Sequence, residues 1–196
     1  MEDRANPPAN LIAGLANSDP AAREAAAAEL HRFGCALGDA ALENSLPGWR
    51  QRPDFARLLA GPPTVGVAVW PETFERIRQA WDRPRLAEVP PDQDAQEFEL
   101  HSGHDISLDI LTTKAPGAGG AIARFLEKLG EGIQQVEYPT TDVDRATELL
   151  RAHFGRQPIY PQARTGADAT RVNFFLAATA EGRKVLLEFV EAARPA

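Results

Sequence analysis

The sequence predicts an α+β fold, with two βαβββ modules preceded by a small helical N-terminal region. Residues before about position 60 follow helical spacing, whereas β-branched and alternating segments begin at Thr64. The order strand, helix and three strands then occurs twice, with about 71 residues between Thr64 and Gln135. With 43% apolar and 25% charged residues, the composition is that of a globular protein. We therefore divide the chain into a helical region, 1–60, and a duplicated domain, 61–196.

Three helices are predicted in the N-terminal region. A short helix carries Leu11, Ile12 and Leu15, and the segment Asn17-Ser18-Asp19-Pro20 stops it. The same segment suits the start of the next helix, because side-chain oxygens cap free amides and proline fits the first helical position. The alanine-rich stretch 21–33 forms that second helix, which we expect Gly34 to end. The third helix is predicted over residues 54–59.

Both modules follow from strand-like and helix-like segments that alternate along the chain. Alternating or β-branched residues indicate strands, and amphipathic spacing indicates helices. In the first module the strands are predicted at 64–70, 86–89, 96–101 and 106–111, with a helix at 71–80. A Gly/Pro linker (113–120) and a helix (121–129) follow. In the second module the strands are predicted at 133–138, 156–160, 170–177 and 184–190, with a helix at 142–153.

Charge and cysteine content exclude several classes of function. The net charge is −7, from 28 acidic against 21 basic residues, which argues against binding to nucleic acid or to anionic membranes. No apolar run approaches the roughly 18 residues that a membrane span needs. The single cysteine, Cys35, cannot form an intrachain disulfide, and the N-terminus lacks the apolar segment of a secretory signal. We therefore expect a cytoplasmic protein.

The helical region resembles a single HEAT-type helical repeat, on the pattern Leu-Ile-Ala-Gly-Leu-Ala-Asn-Ser-Asp-Pro-Ala-Ala-Arg-Glu-Ala that begins at Leu11. One repeat cannot bury both of its faces alone. We therefore expect this region to pack on the rest of the chain or on a second subunit, and we expect a homodimer.

The duplicated domain is similar to the methylmalonyl-CoA epimerases of the vicinal oxygen chelate (glyoxalase-like) superfamily. The linker segment 121–133 and the last two strands, 170–176 and 185–191, carry the resemblance, and 64–69 lies where the family has its opening strand. The resemblance covers about residues 63–192. It implies two modules whose curved sheets together form a cup around a divalent metal, with a small carboxylate or acyl-thioester as the ligand.

The resemblance also implies metal ligands on the first and last strand of each module. These positions are Thr64, Asp109, Gln135 and Glu188 in this chain. The family has histidine at the first and third of them, and a hydroxyl or an amide binds first-row metals less well than imidazole does. The resemblance thus implies a degenerate site that binds Mg, Mn or Co weakly, or no metal.

The two carboxylates of this set, Asp109 and Glu188, lie in predicted strands that are rich in apolar residues. Asp109 shares a face with Ser107, whereas Glu188 shares one with Leu186 and Val190. A carboxylate in apolar surroundings needs a partner, because its burial alone costs several kcal/mol. A cup-facing position and a solvent-facing edge position both stay open for these residues.

Epimerases of this family use two carboxylates to move the proton next to a thioester carbonyl. The resemblance puts Glu188 at one of these positions and Asp92 at the other. Two functions stay open. One is a metal-assisted lyase or epimerase, and the other is a non-catalytic small-molecule-binding or protein-interaction module that has lost the metal.

Other polar residues are weighed against ordinary structural roles. His101 and His104 flank a turn at a spacing that can bind a metal, but with no cysteine or further histidine nearby in sequence, ordinary surface positions explain them better. Arg164 and Arg171 lie in or near a polar loop that borders the cup in this fold, where either side chain is placed to meet an anionic ligand or simply to face solvent. Cys35 is interpreted as a small packing residue.

Overall fold

The computed structural model describes residues 9–103, 105–117 and 119–192, and the chain forms two compact units. The first unit comprises the described residues up to 34 together with 64–134. The second comprises 35–63 together with the described residues from 135 onward. The helical region contributes residues to both units, and the domain boundary at residue 60 stays a prediction.

The described part of the chain contains six α-helices, two short 3-10 helices and seven strands. The helices are α1 (Ala9–Gly14), α2 (Pro20–Ser45), α3 (Pro53–Ala56), α4 (Pro71–Ala80), α5 (Ala121–Leu129) and α6 (Val143–Phe154). The strands are β1 (Thr64–Ala68), β2 (Gln96–Ser102), β3 (Ile106–Thr112), β4 (Gly132–Thr140), β5 (Arg164–Thr165), β6 (Arg171–Ala178) and β7 (Lys184–Glu191). Within these ranges, no helix is both long enough and apolar enough to cross a membrane.

The start of α2 is capped as the sequence predicts. The Asp19 carboxylate accepts a hydrogen bond from the Ala21 backbone N–H at 3.1 Å, and the Asn17 side chain accepts one from the Asp19 N–H at 2.9 Å. These bonds satisfy backbone donors that the first turn of a helix leaves without intrahelical partners.

The predicted end of this helix at Gly34 is wrong, because α2 continues to Ser45. In the first unit, a Cβ atom at Gly34 would lie 2.4 Å from Cγ1 of Val65 on β1. In the second unit, a Cβ atom at Gly38 would lie 2.6 Å from the Tyr138 hydroxyl on β4. The two glycines therefore let the helix approach the strands closely, and this packing outweighs their low helix propensity. The third helix, α3, is also shorter than predicted.

The sheet of the first unit has the order β2-β3-β1, with β1 parallel and β2 antiparallel to β3. The strand predicted at 86–89 is wrong. Ala87 donates one backbone hydrogen bond to the Glu97 carbonyl at 3.0 Å, but its segment does not form a strand. Pro84 and Pro90 lie close to its two ends and lack the N–H groups that a ladder needs.

The sheet of the second unit has the order β4-β7-β6-β5, with β4 parallel to β7 and the other pairs antiparallel. The strand predicted at 156–160 is wrong, since the short strand is β5, a few residues later. Pro158 and Pro161 lie in the predicted segment or next to it, where they limit strand pairing. The Ile159 N–H still donates to the Phe174 carbonyl at 2.7 Å.

The predicted duplication is confirmed by the register of the strands. In the first module Gly66 of β1 pairs with Asp109 of β3, and in the second Glu137 of β4 pairs with Glu188 of β7. Gly66 and Glu137 are separated by the same interval as Thr64 and Gln135. Each module thus has a strand, a helix and an antiparallel strand pair in the same order.

Each unit has its own apolar core. In the first unit, Ala68, Leu111, Ile122 and Leu126 form a buried cluster between β1, β3 and α5. In the second unit, the core is an aromatic cluster of Trp49, Phe55, Tyr138, Phe175 and Phe189, whose neighbouring ring centroids lie 5.8–6.1 Å apart. Aromatic pairs at such distances add to the stability that burial alone supplies.

Two weak acids in the second unit, the half-buried Cys35 thiol and the buried Tyr138 hydroxyl, should make the protein lose stability at alkaline pH. Burial, and then the nearby Asp39 carboxylate, raises the pKa of the Cys35 thiol from 9.0 to about 11. The same two causes raise the pKa of Tyr138, whose hydroxyl donates to Asp39 at 3.3 Å. As the pH rises through this range, the unfolded chain releases these protons before the folded chain does, so the free energy of unfolding falls.

The measurement is urea unfolding of the wild type between about pH 8 and pH 11, where such linkage acts. We expect the stability of Cys35→Ala to decline less steeply over the lower part of this range, and that of Tyr138→Phe over the upper part. Parallel declines in all three proteins would show that neither group carries the effect.

Candidate functional site

The sheet of the second unit has one fully packed face and one more open face. Strand pairing puts Val136, Tyr138, Phe175, Leu187 and Phe189 on the packed face, where all are buried. The opposite side, which we call the open face, carries Gln135, Glu137, Pro139, Arg164, Val172, Phe174, Leu176, Leu186, Glu188 and Val190. Most of these open-face residues are half-buried, and Leu176 is 55% exposed. The predicted placement of Glu188 on one face with Leu186 and Val190 is confirmed.

A hydrogen-bonded group of three polar side chains lies on the open face. Nε2 of Gln135 donates to Oε2 of Glu188 at 2.6 Å and to Oε1 of Glu137 at 3.0 Å. Gln135 and Glu188 are 8% and 7% exposed, so the bond between them is buried. Because a carboxylate accepts hydrogen bonds, the NH₂ end of the amide has to face the two acids. Glu188 is therefore not a solvated edge residue.

This donor set does not fit a resident transition metal. The amide presents its nitrogen to Glu137 and Glu188, and an amide N–H is a hydrogen-bond donor that offers no lone pair to a metal. Among the described residues, no group of three or more His, Cys, Asp or Glu side chains is placed to hold a metal ion. We therefore derive no chemical step through a metal.

At the edge of the open face lies an arginine on an aromatic platform. The Arg164 guanidinium carbon is 4.8 Å from the centre of the Tyr160 ring, and that ring contacts Phe174 edge-on at 6.0 Å. Two hydrogen bonds hold the backbone of this platform. The Tyr160 carbonyl accepts a hydrogen bond from the Asn173 side chain at 3.3 Å, and the Pro161 carbonyl accepts one from the Arg151 side chain at 3.0 Å. A guanidinium stacked in this way is partly pre-organised for an anion.

Arg171 has a structural role instead. Its guanidinium pairs with Asp144 at 2.7 Å and with Glu191 at 3.2 Å, and Glu191 is buried. The hydrogen bond to Asp144 is the main cause of its raised pKa. Of the two arginines singled out in the sequence, the strand register therefore places Arg164, and not Arg171, on the open face.

In the first unit, the predicted residues Thr64 and Asp109 lie on neighbouring strands. Both are half-buried, and Asp109 pairs in register with Gly66 on one side and Glu99 on the other. Ser107 and Asp109 alternate with the buried Leu108 and Ile110, as the sequence predicts. The register relation between Thr64 and Asp109 matches that between Gln135 and Glu188.

Of the two histidines that the sequence suggests as a metal-binding pair, only His101 lies within the described residues. His101 lies with Nδ1 3.0 Å from the Ser107 hydroxyl and Nε2 3.4 Å from a Glu99 carboxylate oxygen. Its side chain is 66% exposed, which is typical of a surface residue. His104 lies outside the described residues.

Asp92 lies in an exposed turn of the first unit. Its neighbour Asp94 is the structural residue of this segment: its carboxylate accepts from the Thr113 hydroxyl at 2.6 Å and from the Lys114 N–H at 3.1 Å. Asp94 thereby holds the start of the inter-module linker. The role of Asp92 stays a prediction.

Sequence reasoning missed Glu137. This residue follows Gln135 by two positions, so alternation along β4 was enough to place both on one face. The residues that flank Glu137 in sequence do not mark it as a functional residue. Its contact with Gln135 depends on side-chain rotamers, which the sequence pattern does not give.

No protein-family model and no curated protein match this chain. Solved structures do match it. Methylmalonyl-CoA epimerase from Mycobacterium tuberculosis is 30% identical, with a TM-score of 0.56, over 70% of this chain and 91% of that chain. A hypothetical protein from Bacillus halodurans C-125 is 23% identical, with a TM-score of 0.54, over 68% of this chain and 94% of that chain.

The Streptomyces coelicolor methylmalonyl-CoA epimerase, in complex with 2-nitronate-propionyl-CoA, is 22% identical, with a TM-score of 0.53, over 69% of this chain and 99% of that chain. The comparisons give no support to the HEAT-type resemblance of the helical region. The predicted α+β class is confirmed by the duplicated strand order and by these matches. The chain therefore belongs to the vicinal oxygen chelate (glyoxalase-like) superfamily and has the fold of the methylmalonyl-CoA epimerases.

Proposed function

We propose that this protein binds a small acyl-thioester, or the corresponding small carboxylate, on the open face of the second module. The observation that carries the proposal is the buried Gln135–Glu188 pair, because a family ligand position and a family carboxylate position are in direct contact there. Burying a carboxylate is costly unless it is hydrogen-bonded, and Gln135 supplies that bond to Glu188. Its apolar neighbours Phe174, Leu186 and Val190 suit a short acyl chain.

The test is calorimetric titration of the purified protein with methylmalonyl-CoA and with free coenzyme A. We expect the thioester to bind, and to bind at least about tenfold more tightly than coenzyme A, which corresponds to about 1.4 kcal/mol from the acyl group. Equal affinities would mean that the acyl group is not recognised. Absence of binding by both would contradict the proposal as a whole.

A second candidate function is catalysis of proton exchange at the carbon next to the thioester carbonyl. It is favoured by the burial of Glu188, since an apolar setting with one strong donor suits a general base. In this scheme the Glu188 carboxylate takes the proton and the electron pair of the broken C–H bond moves into the thioester carbonyl. Asp92 stays the second carboxylate that the resemblance predicts.

Four finer predictions belong with this proposal. A divalent ion, if supplied, should bind weakly, with Mg, Mn or Co as the candidates, and Mg or Mn should suit the carboxylate oxygens better than Zn. Thr64 and Asp109 stay the predicted ligand positions of the first module. The homodimer and the cytoplasmic location also stay predictions. Light scattering of the purified protein tests the first of them.

Arg164 should select ligands that carry a carboxylate on the acyl group. Its guanidinium lies on the open face and is held against Tyr160, so it can make a charge-assisted hydrogen bond with little loss of side-chain freedom. Replacing Arg164 with Gln should weaken methylmalonyl-CoA binding by about 1.5–3 kcal/mol, the usual contribution of a charged hydrogen bond. Binding of propionyl-CoA, which lacks that carboxylate, should change little.

The matched control is Arg145→Gln, which removes a charge from an exposed position on α6 of the same unit. Calorimetry with both thioesters on all three proteins decides the result. If Arg164→Gln weakens both ligands equally, Arg164 does not read the acyl carboxylate.

A further inference from the structure

We propose that the Gln135 amide takes the place of a cation between Glu137 and Glu188, so that this carboxylate pair is organised without metal. The family to which the chain belongs expects a metal ligand at this position, and Gln135 instead supplies a hydrogen-bond donor. The inference concerns the carboxylate pair alone and does not depend on which ligand the open face binds.

The first support is the geometry of the amide. One nitrogen lies 2.6 Å from an oxygen of Glu188 and 3.0 Å from an oxygen of Glu137. A cation that bridges two carboxylates would have to stand between the same two oxygens, at about 2.0–2.6 Å from each. The NH₂ group already lies within hydrogen-bonding distance of both oxygens, so it contacts both acids as a bridging cation would.

The second support is the rigid frame of the group. Gln135 and Glu137 lie on the same face of β4, and Glu188 is the register partner of Glu137 on the parallel strand β7. Two carboxylates placed side by side on neighbouring strands repel each other. A donor that both acids share reduces this repulsion, and it does so without the dehydration that a divalent ion would require.

The third support is burial. Gln135 and Glu188 are 8% and 7% exposed, so their bond is shielded from water. Charge-assisted hydrogen bonds in such surroundings are stronger than neutral ones. Replacing the amide NH₂ group with oxygen should therefore lower the stability of the folded protein strongly, although it hardly changes the volume of the side chain.

The decisive variant is Gln135→Glu, which replaces the shared donor with a third acceptor. Three carboxylates then face one another, and the folded protein should need a cation in their midst. Without metal we expect a lower melting temperature than in the wild type. With Mn²⁺ we expect the melting temperature to recover, and Mn²⁺ affinity to exceed that of the wild type by at least about tenfold, since affinity rises with the number of carboxylate ligands.

The matched control is the exchange variant Gln135→Glu/Glu137→Gln, which has the net charge and the composition of the wild type. It again provides one amide beside two carboxylates. We expect its melting temperature to return toward that of the wild type and its response to Mn²⁺ to disappear. If Gln135→Glu alone does not fold without metal, folding in the presence of Mn²⁺ or in the exchange variant supports the proposal equally.

The measurements are thermal unfolding with and without Mn²⁺, and electron paramagnetic resonance of the free Mn²⁺ ion. Two results would overturn the proposal. One is a wild-type protein that binds Mn²⁺ as tightly as Gln135→Glu. The other is a Gln135→Glu variant that is as stable as the wild type and does not respond to Mn²⁺.

Discussion

Replacing Phe189 with Ala should lower the free energy of unfolding by about 3–5 kcal/mol, the usual cost of removing a buried aromatic side chain. Phe189 is fully buried, and its ring lies 5.8 Å from the rings of Phe55, Tyr138 and Phe175. These partners come from α3, β4 and β6, so the cavity would remove a contact that all three elements share. Urea unfolding followed by circular dichroism measures the effect.

The matched control is Phe174→Ala, one residue of the same type on the open face of the same sheet. Phe174 is half-buried and contacts Tyr160, so less apolar surface is lost there. We expect Phe174→Ala to lower the free energy of unfolding by less than half as much as Phe189→Ala does. Equal losses of stability would mean that the packed and open faces have been assigned the wrong way round.

Replacing Glu188 with Gln should lower proton exchange next to the thioester carbonyl by about 10²–10⁴-fold, the usual contribution of a general base. Gln has nearly the same shape and keeps an oxygen that can accept from Gln135, but it cannot take up a proton at neutral pH. Removing a buried charge while keeping the packing costs little stability. We therefore expect a folded protein with a melting temperature close to that of the wild type.

Exchange is measured by the incorporation of deuterium from D₂O into methylmalonyl-CoA, followed by mass spectrometry. The control is Glu148→Gln, which changes an exposed acid on α6 of the same unit and should keep the exchange. If wild type and Glu188→Gln exchange at the same rate, Glu188 is not the base. If Glu188→Gln loses much of its stability, the carboxylate has a structural role instead.

The sequence was sufficient for the features that depend on periodicity. Alternation in β3 and β7 put Asp109 and Glu188 on the correct faces, because successive side chains of a strand point alternately to opposite sides of the sheet. The repeat of strand and helix order revealed the duplication, and the positions Thr64 and Gln135 proved to be equivalent in register. These properties are local, or repeat at a fixed interval, so one sequence contains them.

Features that depend on contacts between distant residues were not accessible in this way. Gly34 reads as a helix terminus, yet it lies inside α2 because Val65 leaves no room for a side chain there. Short strand-like runs near Pro84 and Pro158 do not pair, since ladder formation depends on the neighbouring strand as well as on propensity. The role of Glu137 required the rotamer of Gln135, which alternation cannot give.

The central claim is that the open face of the second module binds a small acyl-thioester beside Glu188. A crystal structure of the protein with 2-nitronate-propionyl-CoA, which mimics a deprotonated acyl-thioester, tests it most directly. We expect the acyl group to lie on the open face within van der Waals contact of Phe174 or Val190, and within hydrogen-bonding distance of Glu188 or its partner Gln135. An acyl group bound elsewhere on the protein, with the Gln135–Glu188 pair untouched, would contradict the account.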